Sequence, residues 1–527
     1  MAMLSQRVDG DCRGCRLNRR KFLAGCAACV GASGLAVLPV EGLAAPAADK
    51  ARVRLVFSTS PNTGPIWPNI GFDFEPPKQA CLKALRELCP NVEFLPVTAQ
   101  NAEEAQKILA ADKDKNEHKN VDGYLVYLMA CWTNVPITIA NSGKPTIVAD
   151  YLYGGSGEFL IMNAAARRQK LNVSCVSSSR LEDLAEAARC FEILKRPGGS
   201  VEAFLAAANA ARKKSTRPAG ELVCPQDPVR TLDVAECLKR LNEMKILVVG
   251  NEGWGPVAKE IEKVFGTKVV SMDFKELNFL YQKADLDEAR EHADRWVRLA
   301  EKVIEPDRKT IDQCAAMYLA EKALMKKHGA EAITINCLGG FYGGHITAYP
   351  CLGFHQLNND GLVGACESDL ISTLTMVAGT TLSGRPGYIS DPVIDTAKNQ
   401  IIYAHCVAPS KMFGPKGPTN PYHIRNHSED RKGAVVRSLM PLGFLTTTIE
   451  IHPGRKEILF HQGKAVENVD DDKACRSKLA AEVKGDIEKL MNEWDQWSWH
   501  RVTFYGDLKE PVRQLAEAVK YRFVEEA

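Results

Sequence analysis

From Arg52 onward the chain alternates short apolar runs with amphipathic stretches, and this rhythm restricts its fold more than any other feature. Val53–Ser58, Val92–Val97, Tyr124–Met129, Thr146–Tyr151 and Val173–Val176 read as buried strands, whereas Pro77–Leu88, Ala102–Ala111 and Leu181–Lys195 carry helical periodicity. Such strand–helix–strand units close by right-handed crossovers into a parallel, doubly wound sheet. A basic, Pro-containing stretch, Arg212–Pro218, and the segment Pro225–Pro228 then read as an exposed crossing. A second set follows: strands at Lys245–Val249, Lys268–Met272 and Ala332–Asn336, with helices at Pro256–Phe265, Asp285–Glu305 and Ile311–Lys327. Beyond about Thr380 the helical rhythm gives way to strand-like Ile401–His405, Thr446–Ile451 and Glu457–Phe460, closed by expected helices at Ala474–Trp494 and Glu510–Phe523.

The expected fold class is therefore α/β: two doubly wound parallel-sheet (Rossmann-like) domains at 48–215 and 216–380, followed by a β-rich C-terminal domain at 381–527. With 527 residues, 45% of them hydrophobic, the chain can bury a large core. Its 67 Lys plus Arg nearly balance 65 Asp plus Glu, and no basic stripe with interleaved aromatics stands out, so nucleic acid is not an expected partner.

Residues 1–47 are read as a twin-arginine signal peptide: Arg19-Arg20-Lys21-Phe22-Leu23 precedes a Gly/Ala-rich apolar run from Ala24 to Val40, and Ala45-Pro46-Ala47 supplies a small-residue cleavage pattern. Export to the periplasm or another extracytoplasmic space is expected, with no stable membrane insertion after cleavage; an uncleaved N-terminal anchor is the alternative. Of 17 cysteines, Cys12, Cys15, Cys26 and Cys29 fall in that segment, which leaves 13, an odd number without zinc-ribbon spacing.

Two glycine-rich turns sit between a strand and a helix. Gly250-Asn251-Glu252-Gly253-Trp254-Gly255 departs from the dinucleotide spacing, and Gly154-Gly155-Ser156-Gly157-Glu158 could offer N–H groups to an anionic or hydroxyl-rich ligand. Tight turns that need positive φ explain both equally.

Chemistry concentrates between Gly361 and Cys406. Gly361-Leu-Val-Gly-Ala-Cys-Glu367-Ser-Asp369 and Gly387-Tyr-Ile-Ser-Asp391-Pro place carboxylates at the ends of apolar strands, a costly arrangement unless the charge is paired or coordinated. Oxygen ligands suit Mg²⁺ or Mn²⁺, and an added imidazole favours Mn²⁺. His500-Arg-Val-Thr-Phe-Tyr505-Gly506-Asp507 and Asn399-Gln-Ile-Ile-Tyr-Ala-His405-Cys406 contribute histidines. These segments resemble the L-fucose isomerase and L-arabinose isomerase superfamily. The separation of Glu367 and Asp391, 391 − 367 = 24 residues, is similar to that of the fucose isomerase branch.

The resemblance implies a metal-dependent aldose–ketose isomerase acting on a small-molecule sugar through a cis-enediolate. It implies Mn²⁺, or another divalent metal, held by Glu367, Asp391 and His500, with Glu367 and Asp391 also the acid–base pair, and it implies a homo-oligomer. Asp369, His405 and Trp499 are expected behind the ligands or against the substrate. Taken singly, Asp391 could cap a turn, Glu367 could pair with a buried cation, and His500 could be a core histidine. His345 and His355 read as surface residues that could line the cleft. Trp494, Trp497 and Trp499 read as sugar-stacking faces or core packing, and His423 and His427 as part of a solvated loop, Pro418–Asp430, or of a lid. A periplasmic sugar-binding protein without catalysis, and a lyase or epimerase on the same scaffold, remain alternatives.

Overall fold

Apolar runs become strands where helices can cover them from both sides. In the computed structural model, which describes residues 49–527 except 62, 114–120, 252 and 495–497, the first set is β1 (Ala51–Ser58), β2 (Val92–Ala99), β3 (Gly123–Leu128), β4 (Thr146–Asp150) and β5 (Val173–Val176). They form one parallel sheet in the order β2-β1-β3-β4-β5. Successive side chains of β1 enter different cores: Val53, Leu55 and Phe57 pack with Leu85 and Leu184, and Val56 with Phe159 and Leu160. The signal segment at 1–47 and Trp497 lie outside the described residues.

A second parallel sheet contains β6 (Lys245–Val249) and β7 (Lys268–Met272) and, after the two-residue strand β8 (Lys302–Val303), β9 (Ala332–Ile335) and β10 (Val363–Cys366). Its order is β10-β9-β6-β7. The long helix Arg308–His328 that supports it begins where Asp307 accepts from the Thr310 N–H and stops at Gly329, whose φ of 59° an L side chain resists.

The C-terminal region is β-rich: β11 (Tyr388–Asp395), β12 (Gln400–His405), β13 (Tyr422–Arg425), β14 (Val435–Ser438), β15 (Leu445–His452), β16 (Glu457–Asn468), β17 (Ser477–Lys484), β18 (Arg501–Tyr505) and β19 (Arg522–Glu525). The order β15-β18-β11-β12-β17-β16 is antiparallel and closes by a β15–β16 pairing into a six-stranded barrel, with β19 added parallel to β16. Closure leaves these six strands without a bare edge. β13, β14 and β8 make a small separate sheet. Residues 49–527 form a single compact unit, and no helix among the described residues is long and apolar enough to cross a membrane.

Four expected elements are corrected. Ala474–Trp494 is not one helix: 477–484 is β17, and a helix occupies only Ile487–Glu493. Its alanines suit a helix, but pairing with β12 and β16 buries Leu479, Ala480, Ala481 and Val483 more completely. The helix at Lys509–Ala518 stops short of Phe523, which lies on β19. The helix expected to Glu305 ends at Leu299, followed by β8. Within Pro418–Asp430, His423 sits on β13 and both His423 and His427 are buried, so these histidines do not stand in a solvated loop.

Glu321, on the Arg308–His328 helix, is fully buried, and neither carboxylate oxygen has a hydrogen-bond partner among the described residues. It fills the space over Gly353, where a Cβ would lie 2.1 Å from Oε2. Burial holds its carboxyl well above the usual range. The folded state thus keeps this proton more tightly than the unfolded chain, and stability falls as pH rises above the unfolded value of about 4.3. Glu321→Met, of similar shape, is expected to stabilise the protein by about 1–3 kcal/mol. The gain should grow toward alkaline pH, read as a rise in the thermal unfolding midpoint; an unchanged midpoint at pH 8 would refute the assignment.

Candidate metal centre

The parallel sheets deliver their loops to one place. A cavity of about 460 Å³ is lined by Trp67 after β1, Cys131 and Trp132 after β3, Gly157 after β4, Leu338, Gly339 and Tyr342 after β9, and Glu367 after β10. All follow the carboxyl ends of parallel strands, where ligands of open α/β sheets bind. Asp391, Glu429 and Trp499 complete the wall from the β-rich region.

Glu367 and Ser368 leave β10 with φ values of 65° and 49°, a left-handed turn that non-glycine residues adopt only when held. Here Trp254 Nε1 donates to the Ser368 carbonyl (2.7 Å), Asn251 Nδ2 donates to Ser368 Oγ (3.0 Å), and the Ser368 N–H bonds the Ile335 carbonyl (3.0 Å). The glycine-rich turn 250–255 therefore braces the Glu367 turn. At the other glycine cluster, a Cβ on Gly154 or Gly155 would sit 2.4 or 2.2 Å from the backbone oxygens of Met129 and Leu128, so these glycines serve close packing.

Asp369 is the N-cap of the helix Leu370–Ser383, accepting from the Ile371 and Ser372 N–H groups. Its Oδ2 also accepts a hydrogen bond from His500 Nδ1–H at 2.8 Å. Burial opposes the charge on Asp369, but His500 and the Ser372 backbone outweigh it and hold the carboxyl below its usual range. An ionised carboxylate only accepts, which fixes the His500 proton on Nδ1 and turns Nε2 toward the cavity wall.

His500 precedes β18 and, by the Ser390–Arg501 register, lies across from Asp391 on β11. Its Nε2 is 3.2 Å from Asp391 Oδ1 and 3.5 Å from Glu367 Oε2, yet it is buried and makes no aligned hydrogen bond among the described residues. Trp499 Nε1 donates to Asp391 Oδ1 at 2.6 Å, and its ring meets Trp132 edge-on at 5.8 Å and covers Gly157. Burial works against the Asp391 charge, but His500, His405 and Trp499 keep its carboxyl low. Burial also disfavours the His500 imidazolium, but Asp369, Asp391 and Glu367 hold its pKa well above the ordinary value. Without a metal, the imidazolium itself supplies the positive charge between these carboxylates; a bound cation would take the place of its Nε2 proton.

His405, at the end of β12, differs. The Cys406 N–H donates to its Nδ1 at 2.9 Å, so the neutral ring carries its proton on Nε2, which faces Glu367 Oε1 at 3.7 Å. At that distance it makes no hydrogen bond, and Nε2 has no partner among the described residues. His405 lies with Asp391 and His500 in a group whose ligand atoms are all within 4.8 Å of one another, and also with Glu367 and Cys366. Cys366 is a poor ligand: its hydrogen bond to Cys337 (2.9 Å) and its burial hold the thiol protonated. Asp391, His405 and His500 form one group of possible metal ligands, with Glu367 Oε2 3.5 Å from His500 Nε2; carboxylate oxygens and imidazole nitrogens are donor types that bind divalent cations.

The remaining sequence candidates separate. His355 is a buried histidine bonded to the Ala408 carbonyl at 2.7 Å, His345 stacks on Phe274, and neither lines the cavity. Trp494 is in the core, under the Arg501 guanidinium at 4.1 Å. Sequence reasoning missed Trp67, Trp132, Tyr342 and Glu429; only the rule about the carboxyl ends of parallel strands pointed to the first three. Glu429 follows β13, with Tyr342 Oη 3.5 Å from its Oε2. Burial, opposed by the charge on His427 and reinforced by Glu367 and Asp391, pushes its carboxyl up to about 7. All thirteen cysteines of the described unit are free thiols.

No family model matches the chain. The chain spans about two thirds of the length of the curated relatives it matches: 66% of the first, 65% of the next two. It is 25% identical, over 310 residues and 55% of its own length, to the sulfoquinovose isomerase of Clostridium sp. (strain MSTE9). With those of Priestia aryabhattai and Priestia megaterium (strain ATCC 12872 / QMB1551) it shares 26% identity over 305 residues, 54% of its length. By sequence, then, the chain is similar to sulfoquinovose isomerases over somewhat more than half its length.

Proposed function

We propose that the protein is a metal-dependent aldose–ketose isomerase of the fucose isomerase type, acting on an open-chain sugar in the cavity above Glu367, Asp391 and His500. The observation that carries this reading is the buried His500 Nε2, oriented by Asp369 toward two carboxylates, one just past a parallel strand and one within a barrel strand. The similarity to sulfoquinovose isomerases supports the reaction class. Mn²⁺ or a similar divalent ion held by these three residues would supply Lewis-acid polarisation of the sugar carbonyl and its neighbouring hydroxyl.

The chain's own groups account for the rest. Moving a carbonyl between C1 and C2 requires removal of a weakly acidic C–H proton and its return to the adjacent carbon. A Glu367 carboxylate oxygen takes that proton and gives it back, while Asp391 serves the hydroxyl proton on the same face. His405 Nε2, buried without a hydrogen-bond partner among the described residues and 3.7 Å from Glu367 Oε1, stands within reach of a ligand held there. Trp499 and Trp132 hold the apolar face of the sugar and keep water from the enediolate. The Arg19-Arg20 segment supports export through the twin-arginine route to an extracytoplasmic site of action, and the family resemblance supports a homo-oligomer.

The purified protein is expected to contain near-stoichiometric divalent metal, and to convert at least one aldose of a hexose and pentose panel to its ketose. Chelation should abolish the conversion and Mn²⁺ restore it. Metal without conversion would move the reaction to another chemistry, and no metal would sink the assignment. Asp369→Asn provides a second check: with the His500 tautomer no longer fixed, metal affinity is expected to fall about 10–100-fold with the fold intact, measured by competition with a metallochromic chelator. Unchanged affinity would remove Asp369 from the site.

A further inference from the structure

We propose that Cys337 and Cys366 are a disulfide-forming pair, whose cross-link braces the Glu367 turn against the glycine-rich segment that forms the neighbouring cavity wall. The inference is independent of the reaction proposed above. Cys366 is the last residue of β10, directly before Glu367, and Cys337 opens the short helix Cys337–Tyr342 that follows β9. β9 and β10 are parallel neighbours with Ile335 beside Cys366, so both cysteines lie at the same end of the sheet. Their Sγ atoms are 2.9 Å apart, and both residues are buried. That is closer than the about 3.5–4.0 Å at which even the smaller carbon atoms pack best. Two thiols are crowded there, whereas about 0.9 Å of further approach makes the about 2.0 Å bond of a disulfide. Cys406, just past β12, and Cys475, just before β17, also meet. In that pair, however, the Cys475 thiol is directed at Asp391 Oδ2 (3.9 Å) and Cys406 Sγ accepts from the Arg476 N–H (3.5 Å).

Both walls gain from a tether. Four of the eight residues from Cys337 to Gly344 are glycine, the residue that loses most backbone freedom on folding. Asn336 ties the start of this segment, accepting from the Gly339 N–H and donating to the Gly250 carbonyl, each at 3.1 Å, but Tyr342 at its far end is 45% exposed. On the other side Glu367 and Ser368 are held in left-handed conformations. A bond from Cys337 to Cys366 joins the two across 29 positions of sequence and so restricts their opened states. The cross-link forms by thiol–disulfide exchange, with a low-molecular-weight disulfide as oxidant. The thiolate of one cysteine attacks an oxidant sulfur, giving a mixed disulfide and releasing one thiol; the thiolate of the other cysteine then closes the protein bond and releases the second. The two protein thiols lose two electrons and two protons, which the oxidant gains as it becomes two thiols. Burial of both sulfurs makes the exchange slow and, once it is complete, shields the bond from reductants.

The test equilibrates the full-length protein with oxidised glutathione or with reduced glutathione alone, then quenches, unfolds and alkylates each sample and maps its peptides by mass. The oxidised sample is expected to yield a Cys337–Cys366 cross-linked peptide, with both sulfurs protected from alkylation in most molecules. Its thermal unfolding midpoint should lie about 2–5 °C above that of the reduced sample. Amide hydrogen exchange should slow about tenfold on oxidation, at Ser368 and across residues 337–344. Cys337→Ala should abolish the cross-link and both of these changes. Thiols that stay open to alkylation under oxidised glutathione would overturn the inference, as would a cross-link confined to Cys406 and Cys475. A Cys337–Cys366 bond that leaves exchange at both walls unchanged would overturn the bracing role. None of these measurements needs bound metal or turnover, so a failed isomerase assay would leave the inference standing and a missing cross-link would leave the isomerase reading untouched.

Discussion

Glu367→Gln is expected to abolish tight metal binding and to lower kcat/KM by about 10³-fold or more, because one substitution removes both a ligand and the carbon acid's base. The amide has nearly the same shape, and the left-handed turn that carries it is held through Ser368, Trp254 and Asn251 rather than through the Glu367 side chain. The metal-free variant should therefore unfold close to the temperature of the metal-free wild type. That comparison separates chemistry from folding: a variant that still isomerises aldoses with its metal bound would refute the assigned role. Asp391→Asn should lose metal similarly, but it also disturbs the Trp499 bond, so its effect would combine lost coordination with a displaced cavity wall.

The parallel sheets were legible in the sequence because β3, β4, β6 and β9 are buried on both faces and read as largely apolar runs. The last third was harder. β17 is written in helix-forming residues, Leu-Ala-Ala-Glu, and becomes a strand only because β12 and β16 lie ready on either side. Local propensity carries no information about such neighbours. The same holds at His423 and His427, whose polar surroundings suggested a loop in water, while the small β8–β13–β14 sheet buries them.

At the candidate site, Glu367, Asp391 and His500 could be picked out because each stands in or beside an apolar strand, after β10, within β11 and before β18, in a short recognisable segment. Two further layers were invisible. Trp254 and Asn251 support the Glu367 turn from a loop more than 110 residues earlier in the chain, as the separations of 114 and 117 from Ser368 show. Glu429 stands in a polar stretch, Asn-His-Ser-Glu-Asp, and reaches the cavity wall only because the loop after β13 turns toward it. Residues that act by touching a motif from afar leave no spacing to read.

The second large effect concerns how His500 is held in place. Arg501, fully buried, donates from Nη1 to the Ser498 and His500 carbonyls and from Nη2 to the Trp494 carbonyl, shaping the segment that presents Trp499 and His500. Its charge is balanced by Glu526, 2.9 Å away, which also bonds His461 Nδ1 at 2.8 Å. Burial opposes the Glu526 charge, but Arg501 and His461 overcome it and hold the carboxyl down at about 2. Glu526→Gln keeps the shape and strands a buried guanidinium, so a loss of about 3–5 kcal/mol is expected. The sign with pH follows from the depressed value: the stabilisation is present above the unfolded carboxyl pKa of about 4.3 and is lost as pH falls toward 2. Acid unfolding of the wild type should therefore steepen across that window, and the variant should show less of this dependence. Because the same guanidinium sets the Ser498–His500 backbone, the variant should also bind metal more weakly, although Glu526 belongs to neither the cavity wall nor the donor set. Equilibrium denaturation and metal titration on the same preparations would test both. A variant as stable as wild type would show that Arg501 finds its neutralisation elsewhere, and reduced stability with unchanged metal affinity would show that the His500 segment holds its shape without it.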